Sequence, residues 1–469
     1  MRRTAVHPDT QWSVMMDQVS RYLVLSDRAY ADTTGVPVRL AYSTRTASTI
    51  AVDLPTARAL EAGDAGALTP AWTGAMRAAQ LLVPAGEDEL SAVLDRNRRA
   101  SAERSAVHIA LLPTSYCNMG CAYCGQEHTR GGLSHTHRSR VRDRVLRAVT
   151  APETRSARID WFGAEPMMGY AVIRDLAPRF VAAAAERGVA YSSVIVTNGS
   201  LLTPKKINTL IHSCGVTHFE ITIDGPPDIH NEHRPLKSGR GSFWNIVRAV
   251  RSVLDEPDLG PTHFAFRTNF DVHNQDAIPR YVELMAELGF SHPRVSFSIF
   301  PVHSWGNDVS AIEVSKHEFA ARETGWLRLL AEHGLHTQLM PTTARKVLCP
   351  ATTRSSEIIS STGNIFSCSE YPLVPEAERT LALTHIDRAG TEPVRPLGPF
   401  DGWNDEIAEG TTWCKGCVFM PTCGGACPKA WQEGHPPCPS YKYNVQDRLD
   451  LIAAQCGLRE VAGEPAGAR

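Results

Sequence analysis

Neither sign of charge dominates this chain: 48 lysines and arginines face 50 aspartates and glutamates across 469 residues. That balance creates no global field to attract nucleic acid or an anionic membrane, and leaves room only for a local basic patch. Long hydrophobic runs are missing as well. The stretch MRRTAVHPDTQWSVMMDQVS carries two arginines but no apolar segment of signal-peptide length, and no window approaches a membrane span. These absences point to a cytoplasmic protein. Thiols stay reduced in that compartment, so twelve cysteines, ten of them in tight clusters, indicate metal rather than disulfides. With 43% hydrophobic and 21% charged residues, the chain has material for two or three ordinary globular domains.

Three regions differ in pattern. Residues 1–105 lack clustered cysteines and read as a small separate unit: VPVRLAYS and STIAVDL are strand-like around a short turn, and Asp53 with Pro55 starts a helix. Two further helical stretches follow, the second ending near Arg104, a pattern that suits a compact winged α+β domain. From Val107 the chain alternates apolar strands (VHIALLP, ARIDWFG, SSVIVTNG, HFEITIDG, HFAFRTNF, RVSFSIF) with amphipathic helices. Six such units predict an α/β fold with a parallel sheet closed into a partial (β/α)6 barrel over residues 106–335, its active residues on loops after the strand C-terminal ends. Residues 336–469 are loop-rich, with many Pro and Gly and seven clustered cysteines, and metal is the natural staple for such a segment.

Cys117, Cys121 and Cys124 lie just after the first barrel strand. Three thiolates within eight residues can wrap one corner of a four-iron cubane and leave one iron open. A zinc site completed by His128 or His135 is the competing reading. The segment CNMGCAYC, with Tyr123 before its third cysteine, resembles the cluster motif of the radical S-adenosylmethionine (SAM) superfamily. The resemblance implies that SAM chelates the open iron, which makes Cys117, Cys121 and Cys124 the catalytic cluster ligands. It also assigns Gly163-Ala164-Glu165-Pro166, where relatives carry Gly-Gly-Glu-Pro, to the SAM amino group. Ala164 is a mild departure, tolerated if its φ is negative. Asn198, Thr222, Asp224 and Arg234, at or after later strand ends, suit the ribose and carboxylate of SAM, although each also fits a turn or strand-end cap.

The series Cys349, Cys368, Cys414, Cys417, Cys423, Cys427 and Cys438 looks like the SPASM auxiliary-cluster domain, against which a zinc ribbon is the bland alternative. By resemblance, Cys414, Cys417, Cys423 and Cys438 hold an outer [4Fe-4S] cluster, while Cys349, Cys368 and Cys427 hold an inner one. The stretch QLMPTTARKV supplies no fourth inner cysteine, so the inner cluster keeps an open iron or takes a ligand such as Glu370. Cys214 and Cys456 read as small core residues.

Sulfatase maturases generally place an Asp directly after the second auxiliary cysteine, where this chain has Ser369 followed by Glu370. The N-terminal element order weakly resembles leader-peptide recognition domains, which bind an extended leader along a sheet edge. The favoured expectation is therefore a peptide maturase that forms a thioether or carbon–carbon crosslink, with a precursor peptide and an electron donor such as flavodoxin or ferredoxin as partners. Sulfatase-maturase-like oxidation, small-molecule chemistry and a non-catalytic metal scaffold are the alternatives.

Overall fold

A computed structural model describes residues 16–392 and 394–461, so the reading of residues 1–15 for a targeting segment lies outside the described part. The N-terminal unit comprises β1 (Asp17–Val19), β2 (Leu23–Leu25), β3 (Tyr30–Ala31), β4 (Pro37–Ser43), β5 (Ser48–Asp53), α1 (Leu54–Glu61), α2 (Pro70–Ala78), β6 (Leu82–Pro84) and α3 (Glu89–Ala102). The expected hairpin is present, β4 pairing antiparallel with β5. Asp53 caps α1 by accepting from the Thr56 amide at 2.7 Å and also accepts from Trp72 Nε1 at 2.9 Å, so one carboxylate ties α1 to α2.

The six predicted barrel strands are β7 (Ala106–Leu111), β8 (Ser156–Trp161), β9 (Ala190–Thr197), β10 (Val216–Thr222), β11 (His263–Phe270) and β12 (Val295–Pro301). They lie side by side in chain order and all run parallel. Between and after them run α4 (His135–Thr150), α5 (Tyr170–Arg187), α6 (Pro204–His212), α7 (Pro227–His233), α8 (Phe243–Arg251), α9 (Ile278–Glu287) and α10 (Lys316–Glu332). Alternate strand residues such as Ile109, Ile159, Phe219, Phe266 and Phe297 join the helices in one core. The intervening positions carry His108, Arg158, Asp160, Glu220 and Arg267, so the opposite face of the sheet is polar, with His108 and Asp160 joined at 2.8 Å.

The sheet continues past the barrel. β13 (Ser356–Ile359) pairs parallel with β7, and β14 (Asn364–Phe366) and β15 (Thr384–His385) extend it antiparallel to nine strands. This places the GNIFSC segment on a hairpin rigidly continuous with the barrel. The remaining elements are short, as the composition predicts: α11 (Pro375–Thr380), α12 (Trp403–Glu409), α13 (Met420–Cys423), α14 (Pro428–Gln432), α15 (Val445–Gln455) and β16 (Arg459–Glu460).

Two expectations change. The N-terminal unit is not separate: β16 pairs with β3, and Tyr30, Leu40 and Tyr42 share a core with Phe419, Leu449 and Ala453. Tyr42 also donates to the Pro341 carbonyl at 2.9 Å and Thr44 Oγ1 to the Val418 carbonyl at 2.6 Å. The cause is the last helix, α15, which returns across the molecule to bury its apolar face there. Cys214 is fully buried in the barrel core as expected, but Cys456 is exposed, because Ala454 to Gly457 at the end of α15 face solvent before Leu458 returns to the core shared with the N-terminal unit. No helix among the described residues is long and apolar enough to cross a membrane.

Candidate active site

Each barrel strand delivers one part of the site at its C-terminal end. The loop after β7 carries Cys117, Cys121 and Cys124, and it is clamped from two sides. On one side, the Gly120 amide donates to the Pro235 carbonyl at 3.0 Å, the Lys237 amide to the Asn118 carbonyl at 2.8 Å, and Lys237 Nζ to the Cys117 carbonyl at 2.9 Å. On the other, Asn307 Nδ2 donates to the Tyr123 carbonyl at 3.2 Å and the Glu127 amide to the Leu373 carbonyl at 2.7 Å. Gly125 sits where a Cβ would overlap the Trp305 carbonyl oxygen, so no other residue fits between these clamps without a backbone shift.

Burial pushes the Cys117 thiol up to about 11, with Glu165 and Cys121 adding to it after the opposing Met119 amide. Burial likewise raises Cys121, against the pull of Arg234. Such thiols become thiolates when a positive centre replaces their lost solvation, and that is the donor chemistry of an iron–sulfur cluster. For the zinc alternative, the nearest imidazole is His128, at 4.0 Å from Cys124 Sγ, while His135 begins α4.

After β8, the Gly163 to Pro166 turn positions Glu165, whose side chain is fully buried. Its carboxylate accepts from the Met167 amide at 2.8 Å, Thr197 Oγ1 at 2.7 Å and the Asn198 amide at 2.7 Å. A carboxylate offers about four acceptor positions, so roughly one is left for a ligand amine. Burial raises the Glu165 carboxyl, and these three donors oppose it. The condition on Ala164 fails: its φ is +47°, beside Gly163 at +78°. The turn holds Ala164 in the left-handed region while its amide donates to Gln126 Oε1 at 3.0 Å. Gly163 is obligatory, since a Cβ there would run into Leu112.

Asn198, after β9, lies close to the cluster loop: Nδ2 donates to Asn118 Oδ1 at 2.9 Å and stands 3.8 Å from Cys117 Sγ. Thr222 ends β10 and is buried. Asp224 is the hub of a buried network. It accepts from Tyr123 Oη at 2.7 Å, from His233 Nδ1 at 2.9 Å and from the Asn269 amide at 2.9 Å, with Arg234 at 3.5 Å. Burial works to raise its carboxyl, but Arg234, His233 and Tyr123 outweigh that and hold it at about 2. Arg234 also donates to Tyr123 Oη. These contacts fasten the aromatic ring of the cluster motif, and they make Asp224 an anchor for Tyr123 rather than an open acceptor. His233, Asp271 and Lys237 escaped sequence reasoning. The one available signal was their position beside Arg234 or just after a strand end.

The auxiliary cysteines lie in two places. Cys414, Cys417, Cys423 and Cys438 line one small cavity with Trp413, Trp431 and Lys442. Burial first, then Cys414 and Cys417, push Cys423 up to about 12. Cys349, Cys368 and Cys427 influence one another in the same way, with Cys349 raised to about 11 chiefly by burial. Glu370 adjoins this trio, but its carboxylate is shared between His303 at 3.5 Å and Lys429 at 3.3 Å.

Residues 111–284 match the family model described as the Radical SAM superfamily. Its members use SAM and a [4Fe-4S] cluster, so this chain is a radical SAM enzyme. A serine-type anaerobic sulfatase-maturating enzyme of Bacteroides thetaiotaomicron is 23% identical over 67% of this chain and 80% of its own length. A serine-type anaerobic sulfatase-maturating enzyme of Klebsiella aerogenes is 26% identical over 32% of this chain and 38% of its own. A solved structure described as native anSMEcpe with bound AdoMet and Cp18Cys peptide shares the fold, with a TM-score of 0.57 at 14% identity over 75% of this chain and 99% of that one.

Proposed function

We propose that this enzyme is a radical SAM/SPASM maturase of a ribosomally made peptide, forming a thioether or carbon–carbon crosslink. When bound at the iron left open by Cys117, Cys121 and Cys124, SAM supplies the 5′-deoxyadenosyl radical that abstracts a substrate hydrogen. The protein's part is positional. Glu165 and the Gly163–Ala164 turn orient the amino group, the Asp224 network fixes Tyr123, and the hairpin of β13 and β14 holds the inner trio in register with the barrel.

One observation carries the peptide reading: β5 pairs with β4 alone among the described strands, which leaves an open edge in a unit docked against the outer cysteines. An extended leader can add there through main-chain hydrogen bonds. The named relatives, which mature a protein substrate, and a structural neighbour that holds a peptide support a polypeptide over a small molecule. They support sulfatase-maturase-like oxidation equally. An external flavodoxin or ferredoxin is the electron source in either reading.

The test is anaerobic incubation of the reconstituted enzyme with SAM, a reductant and the peptide encoded beside its gene, followed by tandem mass spectrometry. A crosslink removes two hydrogens and blocks fragmentation between the joined residues. A product that reacts with an aldehyde reagent favours formylglycine formation instead. Absence of any peptide change alongside 5′-deoxyadenosine formation would count against both.

A further inference from the structure

Helix α4 presents one face to the auxiliary region through residues spaced three and four apart, His137, Arg140 and Arg144. Arg144 makes a two-pronged contact with Glu357, with both N–O distances 2.7 Å, and also donates to the Gly390 carbonyl at 3.3 Å. Arg140 pairs with Asp387. One turn further toward the helix start, His137 meets His385, at the end of β15, and Asp387 just beyond it.

The spacing at this end of the seam is unusual for hydrogen bonding. His137 Nε2 stands 3.6 Å from Asp387 Oδ2, and His385 Nδ1 stands 3.5 Å from the same oxygen. The more buried histidine–aspartate pairs of this protein close to 2.8 Å (His108 and Asp160) and 2.9 Å (His233 and Asp224), whereas His292 and the exposed Asp255 stand 3.9 Å apart. Ligands bonded to zinc at about 2.0–2.1 Å in a tetrahedron stand roughly 3.3 Å apart, so two nitrogens converging on one carboxylate oxygen at these separations match the spacing of ligands around an ion. All three donor atoms lie within 4.8 Å of one another.

The surrounding contacts prepare the donors. His385 Nε2 lies 3.0 Å from the Thr362 carbonyl, which places the ring proton on Nε2; the single lone pair on Nδ1 accepts from the Asp387 amide at 3.2 Å, and an ion bound at Nδ1 takes the place of that hydrogen bond. Arg140 occupies the other oxygen of Asp387, leaving Oδ2 for a single bond. Side-chain exposures of 23% for His137, 21% for His385 and 39% for Asp387 leave room for entry and for a water as fourth ligand.

We propose that His137, His385 and Asp387 bind a divalent transition-metal ion, zinc by ligand type, which crosslinks the first barrel helix to the auxiliary region. The site is distinct from every cysteine cluster. In the test, holoenzyme with verified iron content is equilibrated with zinc chloride, desalted and assayed for zinc beside His137→Ala and His385→Gln. One more zinc per chain in the wild type than in either variant, with a zinc-dependent rise in melting temperature confined to the wild type, is expected. Equal zinc in all three proteins, or no zinc-dependent shift in the wild type, overturns the proposal. X-ray absorption at the zinc edge checks the ligands independently of folding in the variants: nitrogen and oxygen neighbours support the site, and sulfur neighbours refute it.

Discussion

His233 holds Asp224 at 2.9 Å through one ring nitrogen and Asp271 at 3.0 Å through the other. Burial alone would lower this imidazole, yet the two carboxylates outweigh it and raise it from 6.5 to about 9. A raised folded value means that the stabilisation is fully present below the unfolded value near 6.5 and is lost as pH climbs through about 9. The shift corresponds to on the order of 3 kcal/mol. Thermal melts of reconstituted wild type and His233→Gln should therefore differ most near pH 6 and converge toward alkaline pH. A difference that stays constant across that range would contradict the bridging imidazolium.

Ala164 occupies φ +47° in the turn that presents Glu165. An L-residue there costs about 1 kcal/mol relative to glycine, since its Cβ crowds the following carbonyl. Ala164→Gly should raise stability by about that amount and leave the SAM dissociation constant within a few fold, because the amide still donates to Gln126. A destabilised variant would show that the methyl packs usefully.

Much of this architecture is legible in residues alone. Each barrel strand alternates core-facing residues such as Phe264 and Phe266 with polar ones such as His263 and Arg267, and strand–helix repetition dictates a parallel sheet. The cysteine groups are legible because ligand spacing is local along the chain. What escapes is set by contacts far apart in sequence. Nothing in SEII announces that it extends the sheet beside β7, nor that Tyr42 is buried against residues some three hundred positions later. The sign of φ at Ala164 escapes too, because nothing in the tetrapeptide announces the Gln126 side chain, thirty-eight residues earlier, that accepts from its amide.

The triad prediction rests on local ligation. Changing Cys117, Cys121 and Cys124 together to Ala should abolish reductive formation of 5′-deoxyadenosine and remove about four irons of an expected total near twelve. Auxiliary absorption should persist, as those cysteines lie in the 349–438 region. Wild-type SAM cleavage by the triple variant would make the active-cluster assignment wrong.

Removing residues 1–105 should damage more than peptide recognition. The cut exposes Phe419, Met420, Trp403 and Leu449, which share cores with Tyr22, Val93, Leu40 and Tyr42, and Met420 and Phe419 belong to the segment carrying the outer cysteines. The truncated chain is expected to lose outer-cluster iron along with solubility. Ala51→Pro on the open edge of β5 should instead retain iron and weaken labelled-leader binding at least tenfold. A soluble truncation with full iron would refute the structural coupling.

The inner trio raises the question of its fourth partner. Cys349, Cys368 and Cys427 supply three thiolates, and Cys456 lies on the exposed end of α15, whose buried face packs against the N-terminal unit. Glu370 is near enough to raise Cys368, yet its own carboxyl is lowered, because His303 and Lys429 overcome its burial. A carboxylate held between the His303 imidazole and the Lys429 ammonium gains little by leaving them for iron, and the Trp305 indole donates to the Glu370 carbonyl at 3.1 Å, which further fixes the segment. Glu370→Gln should therefore leave iron and sulfide content unchanged, whereas Cys368→Ala should lose about four irons. If Glu370 does not close the site, that corner is available to a substrate thiol, and spectroscopy sensitive to iron ligation should change when a cysteine-containing peptide binds and stay constant with its serine counterpart. Loss of the inner cluster in Glu370→Gln, with no spectral response to the cysteine peptide, would assign the fourth ligand to Glu370 and restrict the cluster to electron transfer.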